Sequence, residues 1–76
     1  MKYRAQARIN WAESRYLVRE DRFSNAFGAI RYNLYLILDD GHLVEDGFTH
    51  TNDGIKAAID RLFGHGHDEI EVVSVT

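Results

Sequence analysis

A chain of 76 residues, 45% hydrophobic and with no cysteine, has the composition of one small globular domain and excludes wholesale disorder. The missing cysteine also excludes a disulfide framework, a thiolate metal site and a cysteine nucleophile, and fits a reducing cytoplasm. Charge is divided unevenly: residues 1–31 carry seven bases against three acids, a net of +4, and residues 32–76 carry two bases against nine acids, a net of −7. Such asymmetry points to charged partners.

The N-terminal stretch MKYRAQARIN has charges at positions 2, 4 and 8 and no apolar run, so it reads as neither a secretory signal nor an anchor. Leu34 to Leu38, the longest apolar stretch, is far too short to span a bilayer. Tyr3, Ala5, Ala7, Ile9 and Trp11 alternate with Lys2, Arg4, Gln6, Arg8 and Asn10, a strand with one apolar and one basic face. Its edge, if unprotected, would favour strand-to-strand dimerisation, so a monomer or weak homodimer is expected.

Two readings compete over 12–27. Arg15 to Glu20 can form a second strand, with 22–29 a loop holding Phe23 and Phe27. Alternatively, Asn10-Trp11-Ala12-Glu13 is a capping box that opens a helix with Ala12, Tyr16, Phe23 and Phe27 on one side. Arg19 and Glu20 interrupt that helical face, so the strand is preferred.

Ile30 to Leu38 is a strand, with Ile30, Tyr32, Leu34, Leu36 and Leu38 on one face and Tyr35 and Ile37 on the other. Apolar residues on both faces predict a central strand. Asp39-Asp40-Gly41-His42 breaks it, and the Asp-Gly pair predicts a type I′ hairpin. Leu43 to Thr49 returns antiparallel, with a bulge or second turn at Asp46-Gly47.

A helix is expected over 53–63. Thr51 or Asn52 would cap it, Asp53 would favour its positive end, and Ile55, Ala58, Ile59, Leu62 and Phe63 form its buried stripe. Lys56, Asp60 and Arg61 face solvent, and Gly64 ends the helix in a left-handed conformation. After the His65-Gly66-His67-Asp68 loop comes a last strand, Glu69 to Val75. It has Glu69, Glu71, Val73 and Val75 on one side and Ile70, Val72 and Ser74 on the other.

The expected fold is therefore a single α+β domain over 1–76: a small antiparallel-dominated sheet of four to five strands with the 53–63 helix on one face. The helical reading of 12–27 gives instead a ferredoxin-like βαββαβ order.

No enzyme motif is present: no Gly-rich phosphate loop, no Gly-x-Ser-x-Gly elbow and no His-Glu-x-x-His pair. Sets built from Ser14, Ser24 or Ser74 and any histidine are available in nearly any chain. The chain reads as a non-enzyme without a cofactor. His65 and His67, with Asp68 and Glu69, are the metal candidate, joined by His42 and His50 at the ends of the second hairpin strand. Solvated loop histidines explain these positions more simply. The acids lack the ligand spacing of a calcium loop.

Two charged surfaces remain. The acidic residues Asp39, Asp40, Glu45, Asp46, Glu69 and Glu71 are candidates for docking on a protein partner with a basic surface. The basic residues Lys2, Arg4, Arg8, Arg15 and Arg19, with Tyr3, Trp11 and Tyr16 to stack on bases, are the alternative, a nucleic-acid-binding face. The RNP1 pattern of RNA-recognition domains is missing.

In size, acidity and lack of cysteine, and in the hairpin, helix and final strand from Tyr32 to Val75, the chain resembles the small phage-encoded inhibitors of host defence, anti-CRISPR proteins among them. The resemblance implies a stoichiometric blocker that acts through its surface, often against a nucleic-acid-binding complex, and the missing cysteine gives the expected location as cytoplasmic.

Overall fold

The computed structural model describes residues 4–24, 28–64 and 70–76, with the side chains of 22–24 excepted. The elements are β1 (Gln6–Trp11), β2 (Ser14–Ser24), β3 (Ile30–Ile37), β4 (Leu43–His50), α1 (Ile55–Phe63) and β5 (Glu71–Val75). They form one antiparallel five-stranded sheet in the order β4-β3-β2-β1-β5, with α1 over β2, β3 and β4. This is the expected α+β fold. The alternative helix over 12–27 does not form, since β2 occupies 14–24 and pairs with β1 and β3.

The chain turns from β1 to β2 through Ala12 and Glu13, both at positive φ (50° and 63°), with Trp11 opposite Ser14. Two left-handed residues between paired strands make a two-residue hairpin of the type I′ kind. The capping-box spelling is thus spent on a turn. Cross-strand pairs outweigh it: Ile9 opposes Tyr16 and Ala7 opposes Val18.

The type I′ turn expected at Asp40-Gly41 is instead a three-residue loop. Gly41 N–H donates to Leu38 O at 2.9 Å, and Leu38 N–H donates to His42 O at 2.9 Å. Only Gly41 in that loop has positive φ (90°), which fits a type I turn closed by a glycine bulge. In β4 the bulge expected at Asp46-Gly47 is present: Leu34 opposes Gly47 and Tyr35 opposes Glu45, so Asp46 is the extra residue.

Register sets the faces. Ala7, Ile9, Val18, Tyr32 and Leu34 point toward α1 and, with Ala58 and Ile59, form the core. Ile55, Leu62 and Phe63 complete the predicted stripe, and Lys56, Asp60 and Arg61 are exposed. Phe63 meets Trp11 and Tyr16 edge-on at 5.8 and 5.7 Å, with Trp11 and Tyr16 tilted to each other at 6.3 Å, and the cluster fixes the end of α1 to the first hairpin.

The helix start differs from expectation. Gly54, at φ 98° and ψ 177°, is the cap, with no side-chain capping bond. That backbone region is open essentially to glycine alone. Thr51 Oγ1 accepts from Asp53 N–H at 3.0 Å, and Asn52 Oδ1 accepts from Ile30 N–H at 3.1 Å. Both side chains thus tie the β4–α1 connection to itself and to β3, and Asp53 lies before the first turn. Gly64 ends the helix at positive φ (57°) as expected, but its ψ of −136° lies outside the left-handed helical region.

β5 also departs from simple alternation. Arg8 opposes Ser74 and Ile9 opposes Val72, which leaves Val73 as an extra residue. Val72 and Val75 therefore share the helix side of the sheet, where they line one groove with Ile59 and Ile70. β1 lies inside the sheet between β2 and β5, so the open edge expected on the first strand belongs to β4 and β5 instead.

Candidate functional site: the open sheet face and the β4 edge

Because α1 covers one side of the sheet, the other side carries no helix, and its side chains are exposed or half-buried apart from the buried Leu17 and Asn33. That face carries Arg8 and Asn10 from β1, and Arg15, Leu17, Arg19 and Asp21 from β2. It continues through Arg31, Asn33, Tyr35 and Ile37 of β3 to Leu43, Glu45, Phe48 and His50 of β4.

A polar chain crosses it. Asn33 Nδ2 donates to Asp21 Oδ2 at 2.9 Å, Arg31 Nε donates to Asn33 Oδ1 at 2.8 Å, and Arg31 pairs with Glu45 at 3.1 Å. These bonds satisfy the buried Asn33 amide in the middle of the sheet. The Arg31 guanidinium also lies 4.0 Å from the centre of the Phe48 ring, a cation–π contact that holds this exposed aromatic on edge strand β4. Phe48 meets His50 edge-on at 5.7 Å. Arg19 lies over Tyr35 at 5.0 Å.

The acidic candidates do not share one surface. Asp39 and Asp40 sit in the β3–β4 loop, and Glu45 and Asp46 on β4, so four of the six cluster at one edge. Glu71 starts β5 on the opposite edge, four strand spacings or about 19 Å away. Glu69 lies outside the described residues. Within the cluster, Asp40 accepts from His42 N–H at 3.0 Å and contacts His42 Nδ1 at 2.7 Å. The backbone bond from His42, then its imidazole, hold the Asp40 carboxyl below the usual range. The same strand leaves Leu43, Val44 and Phe48 with 40%, 47% and 53% of their surface exposed.

The basic candidates are partly brought together. Arg8 lies opposite Leu17, and Arg15 and Arg19 stand two residues to either side of Leu17 on β2. Among the described residues, none of these three arginines forms an ion pair. Arg4 is exposed ahead of β1, and Lys2 and Tyr3 lie outside the described residues. Trp11 and Tyr16 are not on this face: they point to the helix side and pack on Phe63, so they do not serve as base platforms there. Tyr35 and Phe48 are the aromatics that the face does carry. Their signal was the alternation of Arg31, Asn33 and Tyr35 along β3, which places polar and aromatic groups together opposite the core.

His65, His67 and Asp68, the centre of the metal candidate, lie outside the described residues. Among those described, no cluster of three or more histidine and carboxylate side chains is positioned to hold a metal, and no helix is long and apolar enough to cross a membrane. No protein-family model, curated protein or solved structure matches the chain.

Proposed function

We propose that this chain is a non-enzymatic protein-binding module, acting in the manner of the phage-encoded inhibitors it resembles. It docks through the β3–β4 hairpin and β4 on a partner with a basic surface that normally handles nucleic acid. The observation that carries this reading is a pair of exposed apolar side chains on one face of an edge strand, Leu43 and Phe48, with Val44 exposed on the other face of the same strand, beside Asp39, Asp40, Glu45 and Asp46. Apolar residues that stay exposed together on a small domain mark interaction surfaces, and an apolar centre inside a polar rim is the usual anatomy of a protein interface. Phe48 is the anchor, held in place by Arg31, which in turn is held by Glu45 and Asn33. The acids steer the approach, which makes association fast at low salt and slower as salt rises.

A second reading, nucleic-acid binding, rests on Arg8, Arg15 and Arg19, three guanidiniums around Leu17 with no carboxylate partner among the described residues. A tagged pull-down from bacterial lysate, split into nuclease-treated and untreated halves, separates the two. The docking reading expects one protein retained in both halves and released by Asp39→Lys/Asp40→Lys/Asp46→Lys. It also expects Phe48→Ala to weaken the purified complex at least fivefold, about 1 kcal/mol or more. Nucleic acid retained without protein, and lost in Arg8→Glu/Arg15→Glu, overturns docking and moves the function to the arginine face.

A further inference from the structure

The arginines of β1 and β2 on the open face differ in what holds them. Arg19 is committed to Tyr35, with its guanidinium 5.0 Å from the ring centre and Nη2 donating to the Tyr35 hydroxyl at 3.5 Å. Arg15 makes one long bond, from Nη2 to Leu38 O at 3.4 Å, a distance at which a hydrogen bond is weak. Arg8 forms no hydrogen bond, ion pair or ring contact among the described residues. Arg8 and Arg15 sit diagonally across the β1–β2 pair, Arg8 opposite Leu17 and Arg15 opposite Asn10, a spacing of roughly 7–8 Å that long side chains bridge. Leu17 is buried on this helix-free face, and arginine stems that lie over such a residue keep their charged heads at the water boundary.

Between these strands is a cleft of about 220 Å³. Arg8, Asn10 and Arg15 give it a polar wall, and Ile37 and Val73 an apolar one. Ile9 and Tyr16 also line it, but Ile9 belongs to the core and Tyr16 packs on Phe63, so their main chain forms the floor. A bulge in β5 closes the outer side. Arg8 opposes Ser74 and Ile9 opposes Val72, so Val73 has no partner in β1 and stands beside the polar wall. Glu71, opposite Asn10, and Glu13 and Asp39, which share a neighbouring hollow with Arg15, do not line the cleft and pair with neither arginine.

We infer that this cleft binds a small-molecule phosphate monoester with an apolar body. Two neighbouring guanidiniums without a carboxylate repel each other, and an anion between them relieves this. A monoester carries close to two negative charges at neutral pH and three acceptor oxygens. A carboxylate fills one guanidinium fork with its two oxygens, whereas three oxygens serve both forks and the Asn10 amide. A phosphodiester inside a nucleic-acid chain has a single charge and two free oxygens, and satisfies the same donors less completely. The cleft is larger than a phosphoryl group alone, and Ile37 and Val73 wall the remainder, which sets the body of the ester as apolar. This site goes beyond the docking surface on β4, and the chain by itself tests it, so the outcome is independent of any protein partner.

The test is a titration of the isotope-labelled chain with phenyl phosphate, followed by amide NMR shifts. A saturable shift centred on Arg8, Asn10, Arg15, Ile37 and Val73 is expected. Arg8→Gln and Arg15→Gln are each expected to weaken binding about tenfold or more. Both side chains are exposed, so neither change threatens the fold. Lys56→Gln removes the same charge from the exposed side of α1 and is expected to leave binding unchanged. Glu71→Gln removes a repelling charge beside Asn10 and is expected to tighten binding about two- to fivefold. A thymidine oligonucleotide without a terminal phosphate is expected to leave these amides unshifted. No shift at millimolar phenyl phosphate, or equal weakening by Lys56→Gln and Arg8→Gln, would overturn the inference. Equal shifts from the oligonucleotide would overturn it too, by making the cleft part of a nucleic-acid surface.

Discussion

Tyr32 shows how a single side chain couples to the fold. It lies in the core on β3 opposite Glu20 of β2. Burial first, and the Glu20 charge second, raise its phenol above the ordinary value of about 10. The sign of the pH dependence follows. The neutral phenol binds its proton more tightly in the folded chain, so above pH about 10 the unfolded chain loses that proton first. Stability is therefore expected to fall as pH rises from about 10 through the folded-state pKa, and to be unaffected by this group below about 9. Urea midpoints between pH 8 and 11 test it. Tyr32→Phe should flatten the alkaline decline and remove the high-pH component of the tyrosinate absorbance titration. An identical decline in that variant would assign the effect elsewhere. Glu20 is also the group whose carboxylate accepts from Ala5 N–H at 2.9 Å. One acid thus organises the start of β1 and burdens the ionised tyrosine.

Among the elements, the first hairpin was the hardest to read. Nothing in Trp11-Ala12-Glu13-Ser14 spells a turn, because neither alanine nor glutamate favours the left-handed region. The flanking strands impose it through cross-strand pairs, and the Trp11–Tyr16–Phe63 cluster braces it from the helix. The backbone thus carries strain at two adjacent residues. Replacing Ala12-Glu13 by Asn-Gly is expected to raise stability by about 1 kcal/mol. In a domain of this size that is about 4–8 °C in Tm by thermal melting. A lower Tm would mean that the side chain of Ala12 or Glu13 supports the turn in some other way. By contrast, the α1 stripe and the β4 bulge were legible, since five apolar residues at helical spacing and an Asp-Gly inside a strand are local signals. The helix cap was not. Thr51 and Asn52 are good capping residues whose side chains were claimed by the β4–α1 connection and by Ile30, and glycine took the position instead.

At the scale of the whole molecule, one helix on a five-stranded sheet makes a thin core, centred on Ile9 and Val18, both with no surface exposed. With so few buried side chains, each counts heavily. Ile9→Val is expected to cost about 1 kcal/mol and Ile9→Ala about 3–4 kcal/mol, the latter a large part of the total stability of a small domain. Chemical denaturation measures both. A cost below about 1 kcal/mol for Ile9→Ala would mean that the sheet and helix collapse to refill the site. The thinness also has a functional consequence. Among the described residues, a single helix covers one face of the sheet, and the proposed docking accordingly uses the other face and the β4 edge.

The sequence by itself determined the class of object. Hydrophobic period distinguished strand from helix over most of the chain, the Gly and Asp-Gly positions marked where elements end, and composition excluded cysteine chemistry. These are local properties, set by backbone sterics and side-chain spacing. Tertiary structure decided which residues meet. Strand order put Glu71 across the sheet from the other acids, buried β1 and exposed β4 and β5 as edges. Register turned Trp11 and Tyr16 toward the helix and gathered Arg8, Arg15 and Arg19 with Tyr35 and Phe48 on the open face. Strand order and register depend on which long-range pairs bury the most apolar surface together, and no window of sequence contains both members of such a pair.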